Sequence, residues 1–244
     1  MKNRLSKNFI WNTIGSTLNA LSSLVILIII TRMNGLNNAG IFSLTFAVAS
    51  ILFVIAIYAG RNFYITDIKN TFSEKEYIFS RIITCDIGMI ILIFYILYKK
   101  YDFFQNYILI SLCVWKFLEA FSDIIYAILQ KKDLLYKAGI SLTIKTIVSW
   151  ITFIVTNLIT HNLMIAVSFL WIMPLFIMLL YDIPQMAKLV NFKEKININV
   201  ILKIYLKEFF VFANTLLIMY ILNIPKFAIE RYLSNDIQAI LQLY

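Results

Sequence analysis

The chain has 244 residues, of which 61% are hydrophobic and only 14% charged, and its formal net charge is +9. Soluble domains hold roughly 45–50% apolar and about 25% charged residues, so a globule of this size has no interior large enough for this apolar surface and the bilayer must act as solvent. The same figures exclude a disordered chain and a disulfide scaffold.

A membrane span with its loop takes roughly 30–35 residues, because a helix needs about 20 to cross, so the length allows about seven spans and no sizeable soluble domain. The 24 uncharged residues between Lys7 and Arg32 form span one. This run is too long for a cleavable signal peptide, and no A-x-A site follows it. Along it Asn12, Ser16, Asn19 and Ser23 recur with helical spacing on a helix otherwise rich in Ile, Leu and Val. Such a stripe serves either packing through small polar residues or hydrogen bonding to a polar cargo. A further 28 uncharged residues separate Arg32 from Arg61, and the turn residues of 34–40 place the start of span two near Ile41. Span three covers residues 77–98 with Arg81 and Asp86 inside it, and span four covers 107–129 with Lys116, Glu119 and Asp123. Span five covers 138–160 with Lys145, span six covers 163–181 with a kink expected at Pro174, and span seven covers 205–224.

The N-terminus and the connections on its side carry 15 basic residues, the opposite side carries 5, and Lys116 and Lys145 lie within spans. Positive residues favour the cytoplasmic side, so the N-terminus is expected in the cytoplasm and the C-terminus outside. Basic loops facing anionic lipid account for the net charge, and no nucleic-acid partner is needed. The connector 182–204 interleaves Lys with Leu189, Val190, Phe192, Ile196 and Ile198, which suits either an amphipathic segment on the membrane surface or a solvated loop.

Lys116, Glu119 and Asp123 share one helical face at i, i+3 and i+7. Charges inside a span face a bundle interior or a water-filled cavity. One internal ion pair would be structural, whereas Asp86 and Lys145 on the neighbouring spans favour a hydrated cavity. Arg61 follows Gly60 and precedes Asn62-Phe63-Tyr64. Its planar fork suits a phosphate or carboxylate, or it anchors the helix at the interface. Cys85 and Cys113 lie in apolar runs as small core residues, and the single His161 sits in a short connection. One His without a Cys cluster gives neither a zinc nor a haem site, and no nucleophilic triad assembles around it.

Residues 30–41 and 229–240, aligned at an offset of 199, match at both flanking Ile positions and at Arg32 and Arg231. Both segments follow an odd-numbered span on the outer side, as expected of two parallel halves of six spans.

The segment 32–81 resembles the polysaccharide-unit flippases of bacterial surface-glycan pathways. These are the O-antigen (Wzx-type) translocases of the multidrug/oligosaccharidyl-lipid/polysaccharide exporter superfamily. The resemblance rests on Arg32 and Gly35, Gly40-Ile41-Phe42, Gly60-Arg61-Asn62, Thr66-Asp67-Ile68, and Tyr77 with Arg81. Glu119-Ala120-Phe121-Ser122-Asp123, Leu129-Gln130-Lys131, Gly139-Ile140-Ser141-Leu142 and Asn223-Ile224-Pro225-Lys226 extend it over nearly all of residues 1–238. It implies an all-α integral membrane protein of about seven transmembrane helices. Residues 1–181 would form a six-helix bundle, 182–204 a cytoplasmic amphipathic linker, and 205–244 the first helix of a second, MATE-like bundle. The chain stops where helix eight would begin, so a truncated protein is expected.

The implied activity is transport rather than enzymatic chemistry. Cargo on undecaprenyl pyrophosphate, an O-antigen or capsule repeat unit, would move from the inner to the outer leaflet of the bacterial cytoplasmic membrane by alternating access. Arg61, Lys116, Lys145, Asn12, Ser16 and Asn19 would bind the glycan-lipid, and Asp86, Glu119 and Asp123 would carry a coupling proton or sodium ion, with no other cofactor. Partners would be membrane lipid, the lipid-linked glycan and polysaccharide polymerase machinery. The alternatives are a MATE-type cation-coupled exporter, a membrane-embedded glycan polymerase or ligase, which the short outer connections disfavour, and an inactive fragment.

Overall fold

A computed structural model describes residues 2–68, 71–192 and 196–232. Most of the second copy of the repeated connection and the C-terminal end lie outside the described residues, as do Lys69, Lys193 and Lys195 of the basic loops. The described residues are helical throughout, joined by short connections, with no strand among them. Helix α1 is Lys2–Asn34, α2 is Leu36–Ile57, α3 is Gly60–Thr66, α4 is Glu74–Lys99 and α5 is Phe103–Lys131. Helix α6 is Leu135–Thr160 and α7 is Leu163–Ile177, which passes through a π-helical turn, Met178–Asp182, into α8, Ile183–Ala187. Helix α9 is Ile198–Tyr232.

Among the described residues, six segments are long and apolar enough to cross a membrane: Arg4–Asn34, Leu36–Thr66, Glu74–Lys99, Leu135–Thr160, Leu163–Ala187 and Ile198–Glu230. Helix α5 is as long as these, at 29 residues, and carries the charged face of Lys116, Glu119 and Asp123. It tolerates that face because it is enclosed by α2, α4, α6 and α7, so its polar side meets protein. The long helices alternate in direction. Asn8 of α1 meets Asp133 and Tyr136 at one end, and Asn34 meets Asn157 at the other.

Helix boundaries follow local chemistry. The turn expected over residues 34–40 shrinks to Gly35, whose φ of 87° only glycine adopts without strain. The Asn38 side chain donates to the Asn34 carbonyl at 2.9 Å, so α2 begins at Leu36 rather than near Ile41. Helix α4 starts in a capping box of Ser73 and Glu76, α5 starts on Asp102, and α7 starts on Asn162. His161 is the left-handed residue that ends α6. Pro174, where a kink was expected, lies inside α7, and a π-helical turn, Met178–Asp182, follows four residues later.

Two apolar clusters fill the bundle. One contains Ile26, Phe42, Leu112, Phe153 and Leu170, and the other contains Tyr64, Tyr77, Ile125, Leu129, Met186 and Ile204. Helices α1 and α6 form the tightest seam. A Cβ on Gly139 would lie 2.4 Å from the Trp11 backbone carbonyl, and one on Gly15 would lie 2.7 Å from the Gly139 carbonyl oxygen. Small residues at such a crossing let backbones touch, which supplies packing where lipid removes the hydrophobic incentive.

Candidate functional site

The π-helical turn places a buried carboxylate. The extra residue it accommodates carries Asp182 round to the bundle interior, where its side chain is fully buried. Lys145 of α6 forms an ion pair with Asp182 and donates to Ser122 Oγ at 2.7 Å and Tyr126 OH at 3.2 Å. Tyr126 in turn meets Ser141 Oγ at 3.0 Å, while Asp182 Oδ1 has no protein partner. A buried pair of this kind survives only when further hydrogen bonds compensate the lost hydration, as Ser122 and Tyr126 do here.

Nearby, on α5, Lys116 Nζ lies 2.7 Å from Glu119 Oε2. Asn19 of α1 donates to Glu119 Oε1 at 2.7 Å. The Lys116 ammonium also sits over the rings of Phe46, Phe53 and Trp115 at 5.1–5.3 Å, so aromatic faces share its charge. Between the two ion pairs lies a cavity of about 30 Å³ lined by Asn19, Ser22, Glu119, Ser122, Lys145 and Ser149, among others. Ser149 Oγ is buried there without a protein partner. A water needs roughly 10–15 Å³ of such space and a few polar partners, so the cavity suits about two waters and excludes a sugar.

A third cluster forms where α2, α3, α4 and α5 meet. Arg61 binds Asp123 at 2.8 Å through one guanidinium nitrogen and Gln130 at 2.8 Å through another. Arg81, buried, reaches Asp123 at 3.4 Å and donates to the Ala56 carbonyl at 2.8 Å. At the opposite end of the long helices, Lys99 of α4 meets Glu230 of α9 at 2.8 Å. Tyr101, in the connection after α4, also donates to Glu230; burial and this carboxylate both push its phenol upward. Lys99 and Glu230 border a trough of about 900 Å³ between α2, α4 and α9, otherwise lined by apolar and aromatic residues such as Ile55, Ile91, Tyr220 and Phe227.

The expected cationic residues therefore do not share one cavity. Arg61, Lys116 and Lys145 each belong to a different ion pair. Glu119 and Asp123, one helical turn apart, also go to different clusters. Asp86 is exposed on α4 and joins none of these clusters. The α1 stripe divides: Asn19 reaches Glu119, whereas the exposed Ser16 hydroxyl donates back to the Asn12 carbonyl at 2.7 Å. Asp182, Arg81, Gln130 and Glu230 were not among the expected site residues. An acidic residue closing an apolar run just beyond Pro174 was the available signal for Asp182.

No family model and no solved structure matches the chain. It is similar to a capsular polysaccharide biosynthesis protein, CapF, of Staphylococcus aureus, with 29% identity over 194 residues. That match covers 80% of this chain and 48% of the relative, so the chain spans about half the relative's length.

Proposed function

We propose that this chain is part of a translocase that carries lipid-linked glycan units across a bacterial cytoplasmic membrane during surface-polysaccharide production. The observation that carries this reading is the similarity, over 80% of the chain, to a protein named for capsular polysaccharide biosynthesis. The scaffold is consistent with it. The chain has several membrane-length helices and a trough wide enough for a large amphiphile, apolar along its length and charged at one end. The bundle interior, with its 30 Å³ cavity, has room for waters alone, so cargo would be handled on the face of α2, α4 and α9. Glu119, beside that cavity, is the residue we assign to a coupling proton or sodium ion. Arg61 would meet the pyrophosphate by exchanging its carboxylate, Asp123, for the headgroup. In this reading the N-terminus is cytoplasmic and the protein transports without chemical conversion.

The test is genetic and chemical together. The gene is deleted from its native strain, and lipid-linked repeat units and long-chain surface polysaccharide are both measured. The expected outcome is loss of polymer with repeat units accumulating on the inner leaflet, reversed by a full-length relative. Repeat units found in the outer leaflet while polymer is lost would reject translocation in favour of polymerisation.

A further inference from the structure

The backbone between α2 and α3 is unusual. Tyr58 has φ 38° and Ala59 has φ 57°, two consecutive side-chain-bearing residues in the left-handed region. Each costs energy there, and such residues persist only where their surroundings over-determine them. Part of the restraint is local. Because α2 ends at Ile57, the Ala56 carbonyl has lost its helical partner, and Arg81 Nη1 at 2.8 Å and Thr84 Oγ1 at 2.6 Å take it instead.

The rest of the restraint comes from one distant helix. The Tyr58 ring stacks on Phe212 of α9 at 4.2 Å between centroids and meets Tyr205 edge-on at 5.1 Å. Tyr205 is itself fixed by donating to the Ser80 carbonyl at 2.9 Å. Glu208, one helical turn further along α9, is buried beside Gly60. A Cβ on Gly60 would lie 3.9 Å from both Glu208 carboxylate oxygens and 3.4 Å from Arg81 Nη2. The α9 carboxylate and the α4 guanidinium thus both lie in ordinary contact range of the start of α3. The next residue is Arg61, which α3 holds against Asp123 and Gln130.

We propose that residues 58–60 form a hinge that α9 clamps shut, so that docking of α9 fixes α3 and with it the pairing of Arg61. When α9 withdraws, the aromatic clamp is lost, the strained residues relax, and α3 moves as a unit with Arg61. The hinge stands on backbone geometry and packing, and it holds whether or not the chain carries a glycan.

Hydrogen–deuterium exchange of the full chain in lipid nanodiscs tests this. Phe212→Ala removes the stacked ring and is expected to speed exchange over residues 57–66 roughly three- to tenfold, the range for loss of an aromatic pair. Exchange over residues 138–157 of α6 should stay at the wild-type rate. Adding Ala59→Gly, which removes the left-handed penalty at one hinge residue, should slow the accelerated exchange again. Leu222→Ala, elsewhere on α9 and exposed, should leave the hinge unchanged. Unaltered exchange over 57–66, an equal rise in α6, or no recovery with Ala59→Gly would each overturn the hinge.

Discussion

The interior between α1, α5, α6 and α7 and the face between α2, α4 and α9 use polar residues in opposite ways. In the interior, two ion pairs and their hydrogen-bonded neighbours surround about 30 Å³ of space. On the α9 face, a trough of about 900 Å³ is lined mainly by apolar side chains with one ion pair at its border. Charge density at membrane depth therefore does not mark the roomy part of this molecule. The paired interior charges hold helices in register, while the space for a large ligand lies where the sequence looks plainest. This contrast assigns rigidity to the first region and movement to the second.

The most damaging way to break the interior is to strand one of its charges. Asp182→Ala leaves Lys145 buried without its carboxylate, and removing one partner of a buried pair typically costs about 3–5 kcal/mol. The expected result is a large fall in the thermal unfolding midpoint of the purified protein in detergent. Replacing both partners, Lys145→Met with Asp182→Leu, should recover most of that loss, since an apolar pair of similar volume is often neutral. A single Asp182→Ala variant as stable as wild type would mean that the interior is not sealed.

The seam of the same region offers the next largest effect. Gly139→Ala places a methyl 2.4 Å from the Trp11 backbone carbonyl, which no side-chain rotation relieves. Overpacking of this kind costs about 1–3 kcal/mol. Exchange at the α1 and α6 amides should rise together, with the α4 amides unaffected.

On the open side the same chemistry should matter little. Lys99 is about a third exposed at its side chain, and its pair with Glu230 has water on one side. Exposed pairs contribute about 0.2–1 kcal/mol, so Lys99→Ala should shift the unfolding midpoint only slightly. A loss as large as that of Asp182→Ala would erase the difference between the two regions.

Long uncharged runs made the helices legible in the sequence, because only the bilayer explains them. Where one residue decides a boundary, the sequence pattern was less informative. The asparagines and glycines of 34–40 read as a loop, yet Asn38 caps backward and only Gly35 leaves the helix. The charged residues Lys116, Glu119 and Lys145 were legible as a set, but their partners were not. Pairing Lys145 with Asp182 depends on a π-helical turn that shifts the register, and no periodicity predicts it. Arg81 was visible as a charge near the start of a span, but its role depends on Ala56 losing its helical partner on another helix. Spacing within one helix was readable, whereas pairing across helices depended on turns that only the folded chain reveals.

The smallest effect sharpens the comparison from the water-facing side. Asp67 follows α3 in the connection to α4. Partial burial pushes its carboxyl up, but hydrogen bonds from Thr71 and from the Phe72 backbone N–H, with Lys131 close by, outweigh this and hold it below the ordinary value of about 3.8. A carboxyl with a lowered folded value stabilises the fold above its unfolded value and loses that contribution as pH falls through the folded one. The protection of residues 71–73 should therefore be constant from neutral pH down to about pH 5 and decline below pH 4. Asp67→Asn should lack this acid-dependent decline, with protection already reduced at neutral pH. Asp182, the partner of Lys145, is fully buried, so α6 exchange should stay flat over the same range. A parallel decline in α6 would mean that the interior opens to water as readily as this connection, and it would then belong with the open face.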